Sequence, residues 1–109
     1  MSPENQKLLK DKFKPIYDLV GEFECGDGWF DLLHGLSEAI VLHINSCPIM
    51  KNDANDEFFE GFHVTQVKEK FGSLRFYVSS ACDEIYELIL RAEVKSKATC
   101  EGCGSWNKY

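Results

Sequence analysis

Trp29, Leu32, Leu33, Leu36, Ile40 and Ile44 recur at steps of three and four, and no other pattern in the chain restricts its folding as tightly. That spacing puts them on one face of a helix over about 28–45. Asp27 stands where a capping residue would, and Asn45-Ser46-Cys47-Pro48 closes the segment, since proline forbids continuation. At 109 residues the chain has room for one core, so the apolar stripe must be buried within a single domain spanning 1–109. With 44% hydrophobic and 13% aromatic residues there is enough apolar surface to do so.

The remaining elements are placed by period and punctuation. Ser2-Pro3-Glu4 gives a cap, a proline at the first helical position and an early acid, which predicts a helix over 3–12 with Leu8, Leu9 and Phe13 on one face. Pro15 interrupts it or starts a short helix carrying Ile16, Leu19 and Val20. Gly21 to Gly28 is too glycine-rich and acidic to predict regular structure. Residues 49–60 form a polar loop. From Phe62 the period changes to two: Leu74, Phe76 and Val78 alternate with Arg75, Tyr77 and Ser79. With 63–68 as a weaker partner strand and Phe71-Gly72 at the turn, this predicts a β-hairpin whose loop holds two, three or four residues. A last helix over 83–97 carries Ile85, Leu88, Ile89 and Ala92. A two-stranded ribbon is marginal alone, so the helices must cover one of its faces. The class is α+β: helices packed on a β-hairpin or small antiparallel sheet. A further strand at 58–62 is compatible with it, and 98–109 is a short irregular tail.

Charge narrows the function. The formal net charge is −6, which argues against a general nucleic-acid or anionic-membrane coat. The charge is also segregated, with −9 between Asp18 and Glu60 and +3 over the rest. An acidic surface for a basic partner would therefore be built from Glu22, Glu24, Asp27, Asp31, Asp53, Asp56, Glu57 and Glu60. A solvated surface that keeps a small protein soluble explains the same residues. The apolar run 39–42 is too short to span a bilayer, and the first residues lack the basic-then-apolar layout of a secretory signal.

Cys25, Cys47, Cys82, Cys100 and Cys103 are an odd set without that signal, which favours reduced thiols in a cytoplasm. Cys47 and Cys82 sit beside apolar positions and read as small buried hydrophobes. Cys100-x-x-Cys103-Gly is half of a zinc knuckle, and one structural zinc would need more distant donors such as Cys25, His34, His43 or His63. Two unligated thiols is the competing reading. The serines lack a nucleophile elbow, Gly26-x-Gly28 lacks the rest of a phosphate cradle, and Asp27 with Asp31 is explained by helix capping. No catalytic constellation is found, so the expectation is a protein that is not an enzyme. Lys68, Lys70 and Arg75, interleaved with Phe71, Phe76 and Tyr77, form the one local pattern suited to nucleic acid. Strand alternation accounts for it equally.

Three blocks carry a resemblance: 23–33 (FECGDGWFDLL), 66–77 (QVKEKFGSLRFY), and Ala92-Glu93, Ser96 and 99–104 (TCEGCG). In this order they resemble a family of small bacteriophage and prophage proteins. That family is similar in its C-x-x-C-G, which a further Cys or His completes into a zinc ribbon; this sequence has no such residue before Tyr109. The resemblance implies a bacterial host cell as location. It also implies a host protein or protein–nucleic-acid complex as partner, with inhibition of a defence complex, in the manner of anti-CRISPR proteins, as the role. The alternatives are a zinc-knuckle accessory of nucleic acid or transcription and an immunity-type partner of a toxin.

Overall fold

A computed structural model of the chain describes residues 1–46, 62–79 and 81–100. Helix α1 (Pro3–Lys12) opens as the sequence predicts, with the Ser2 side chain accepting from Asn5 N and proline in the first turn. A single turn, α2 (Lys14–Tyr17), follows. Leu9, Phe13, Ile16, Tyr17 and Val20 enter the core, whereas Leu8 and Leu19, expected on the same faces, are each 58% exposed. Leu9, Phe13 and Tyr17, and likewise Ile16 and Val20, stand four apart on the buried side, which turns Leu8 and Leu19 outward.

The stretch from Gly21 to Gly28, expected to lack regular structure, holds strand β1 (Phe23–Glu24). A 3₁₀ turn over Asp27–Trp29 leads into α3 (Phe30–Ser46), with Trp29, Leu33, Leu36, Ile40 and Ile44 buried. The helical region thus runs as expected, but its entry differs. Gly26 takes the cap position, and the Asp27 side chain turns to α1 instead.

Strands β2 (Val64–Lys70) and β3 (Ser73–Val78) form the predicted antiparallel hairpin. Lys70 pairs with Ser73, which fixes the loop at two residues, Phe71 and Gly72. Their φ angles of 55° and 81° give the doubly left-handed turn that matches strand twist. The ladder shifts register between Val64 and Gln66. The sheet is not purely antiparallel: β1 lies parallel to β2, in the order β1-β2-β3. Parallel neighbours need a crossover, and α3 lies in this one. The alternative strand at 58–62 lies outside the described residues except for Phe62, which is buried and in no strand.

Helix α4 (Asp83–Ser96) packs against α3 and β3, burying Ile85, Ile89, Ala92 and Ser96. It also closes the free edge of the sheet. Leu74 N donates to Ser96 Oγ at 2.8 Å and Phe76 N donates to Glu93 Oε2 at 3.2 Å. An open strand edge is a template for unwanted pairing, and these two side chains blunt it. One transverse row of the sheet, Phe23-Val67-Phe76, is buried. Tyr17 meets its two rings edge to face, with centroids 5.0 Å from Phe23 and 6.5 Å from Phe76. The next row, Glu24-Lys68-Arg75, is the polar face. The molecule is an α+β domain.

Candidate functional site

Among the described residues, the segment from Asp18 to Ser46 carries six carboxylates and no lysine or arginine. Glu22, Glu24, Asp31 and Glu38 are exposed, and none of them forms a salt bridge with a lysine or arginine among those residues. Asp18 faces the His63 ring, with Oδ1 2.9 Å from Nδ1. Asp27 is committed internally: its Oδ1 accepts from Ser2 N at 2.7 Å and Asn5 Nδ2 at 3.1 Å. The Ser2 amide and the Asn5 side chain hold its carboxyl below the usual range. Asp53, Asp56, Glu57 and Glu60 lie outside the described residues.

Cations of the chain border this acidic set. Glu22 shares a shallow groove with Lys7 and Lys10, and Lys10 Nζ donates to Gly21 O at 2.6 Å. Asp31 lies with Arg91 and Lys95 around a cleft of about 210 Å³ between α3 and α4. Glu22 thus lies beside the lysines of α1, and Asp31 beside the cations of α4.

The hairpin brings its three cations together. Lys68 stands directly opposite Arg75, with Glu24 on its other side and the Gln66 amide donating to Glu24 at 3.3 Å. Like charges placed opposite repel, so the pair is held by the register. Beyond it, Phe71 is 88% exposed at the tip, with Lys70 Nζ 5.6 Å from its ring centre. Tyr77 is also exposed on this face.

Of the zinc candidates, Cys25 is buried and Cys100 half-buried. Among the described residues neither belongs to a cluster of three potential metal donors, and Cys103 lies outside them. His34 is taken up by aromatic packing, its ring centre 5.3 Å from Phe13. The chain instead gathers a group the sequence did not show. His43, in the last turn of α3, reaches Cys82, the cap residue of α4, with Nε2 and Sγ 3.1 Å apart. Glu84 joins them, and the three donor atoms lie within 4.8 Å of one another. Burial pushes the Cys82 thiol up, while the amides opening α4 pull it down. A backbone amide and the Cys82 thiol hold the Glu84 carboxyl low. A thiol so protected is a poor nucleophile. Thirty-nine residues separate His43 from Cys82, so no local spacing could have signalled them.

A second feature was legible. Tyr86, Leu90 and Val94, at steps of four, form an exposed apolar stripe on α4, opposite the face that packs inward. No helix among the described residues is long and apolar enough to cross a membrane. No protein-family model matches the sequence, and comparison with curated proteins and with solved structures finds no significant match.

Proposed function

We propose that the protein is a non-enzymatic accessory protein that binds a basic surface of a partner protein through Glu22, Glu24 and Asp31. The observation that carries this reading is the run from Asp18 to Ser46, which has six acids, no lysine or arginine, and these three side chains exposed. Exposed carboxylates without bases between them in sequence speed encounter and set orientation more than they add affinity. The exposed Tyr86-Leu90-Val94 stripe supplies apolar contact area of the kind that protein interfaces use. The resemblance to phage proteins points to a bacterial host complex as partner and to inhibition of host defence as the role.

The test is association kinetics with the partner captured from a bacterial extract, measured across ionic strength. The triple variant E22Q/E24Q/D31N removes these three charges and leaves Asp27, which ties down α1. An on-rate about tenfold lower, with a flatter salt dependence, supports the reading. An unchanged on-rate rejects it.

A second reading has its own observation. Lys68 opposite Arg75, beside exposed Phe71 and Tyr77, is an arrangement that fits a single nucleic-acid strand. Fluorescence anisotropy with a labelled single-stranded oligonucleotide tests it. Salt-sensitive binding that is lost in K68A/R75A favours this reading over the first.

A further inference from the structure

We propose that His43, Cys82 and Glu84 form a binding site for a divalent transition-metal ion of the zinc class. The three donors come from the facing ends of two helices and lie within 4.8 Å of one another. A thiolate, an imidazole and a carboxylate are the donor types that zinc takes. Tetrahedral zinc, with bonds of about 2.3 Å to sulfur and 2.0–2.1 Å to nitrogen, separates those two atoms by roughly 3.6 Å. His43 Nε2 and Cys82 Sγ stand 3.1 Å apart. An opening of about half an ångström, within the reach of side-chain rotation, therefore admits the ion.

The carbonyl end of α3 attracts a cation at His43. Binding replaces the thiol proton by the metal–sulfur bond and releases that proton to solvent. Three protein donors leave one tetrahedral position for water. His43 and Cys82 are half-buried and Glu84 is exposed, so solvent and ion reach the group from one side. Cys100, the described cysteine of the C-x-x-C pair, is not among its donors.

The experiment uses the full chain, reduced and freed of metal, in a C100S/C103S background so that the tail thiols cannot answer for it. Cobalt(II) is titrated in as the spectroscopic probe. The expected result is one cobalt per chain with a sulfur-to-cobalt charge-transfer band, displaced by zinc. That band should vanish in C82S, and affinity should fall at least tenfold in H43A and in E84Q, on the scale on which changes around metal sites are felt. Glu84 is exposed, so E84Q reports on the site without threatening the core, and circular dichroism checks the fold of all three. Absence of the band in the C100S/C103S background overturns the proposal. So does a band that survives C82S, or an affinity that neither H43A nor E84Q changes.

Discussion

Trp29 Nε1 donates to the Thr99 carbonyl at 2.9 Å, joining the entry of α3 to the chain that leaves α4. Trp29 is buried, so the bond ties Thr99, just after α4, to a ring of the core. Trp29→Phe keeps an aromatic ring but removes the donor and part of the volume. The expected loss is about 1–3 kcal/mol, read as a lower urea midpoint by far-UV circular dichroism. A midpoint within error of the parent would show that Thr99 does not depend on this bond.

A buried polar pair makes a sharper case. The Tyr17 hydroxyl meets Ser37 Oγ inside the core, and Ser37 donates to Leu33 O at 2.7 Å. Ser37→Ala leaves the tyrosine hydroxyl without this partner and should cost about 1–3 kcal/mol. Tyr17→Phe should cost less, and the double variant less than the sum. Burial raises the Tyr17 pKa well above its unfolded value near 10. The neutral form therefore holds in the folded state, and its contribution is complete below pH ~10 and lost as pH rises beyond it. Urea midpoints between pH 9 and 11 should fall with pH in the parent and fall less in Tyr17→Phe.

Asp27 gives the opposite sign. Its pKa is depressed by the Ser2 amide and the Asn5 side chain, so its contribution is present above the unfolded value near 3.9 and lost as pH falls through the folded one. Asp27→Asn should lower stability at pH 7 and flatten the acid limb of a stability–pH profile. An acid limb identical to the parent's would show that the carboxylate does not hold α1.

Much of this architecture was legible locally, and what was not depended on distance in sequence. The bounds of α1 follow from its Ser2 cap, its proline and its apolar period, and those of α4 from apolar period, signals carried within each segment. Strand β1 has two residues in a glycine-rich acidic stretch, and it is a strand only because Phe23 meets Val67. The three blocks that carry the resemblance meet in the same way. Phe23 pairs with Val67, Ser96 and Glu93 take the amides of Leu74 and Phe76, and Trp29 reaches Thr99. Those residues make internal contacts, so a pattern shared there reports packing as readily as function. The His43–Cys82 meeting was hidden for the same reason.

The α4 stripe separates folding from binding. Leu90 is 59% exposed, so Leu90→Lys should change stability by no more than about 0.5 kcal/mol. If the stripe contacts a partner protein, the same change should raise the dissociation rate about tenfold or more, since an apolar contact is replaced by a charge to be desolvated. Surface plasmon resonance on the captured partner reads this directly. An unchanged dissociation rate would remove the stripe from the interface.

Phe71 bears on both readings of function at once. A left-handed backbone brings the Cβ of an L-residue against the following carbonyl oxygen at a cost of about 1–2 kcal/mol, and asparagine tolerates it better. Phe71 holds φ at 55° with its ring almost wholly in solvent, so the ring gives the fold little in return. Phe71→Asn should therefore stabilise the protein by about 0.5–1 kcal/mol, measured by urea denaturation. Under the protein-binding reading, the association rate with the partner protein stays as it was. Under the nucleic-acid reading, oligonucleotide affinity falls by about 1–3 kcal/mol, because the stacking ring is gone. A more stable variant that loses oligonucleotide binding would mark the turn as a strained contact kept for nucleic acid. One that keeps its association rate, with no oligonucleotide binding to lose, would leave the proposed contact through Glu22, Glu24 and Asp31 standing.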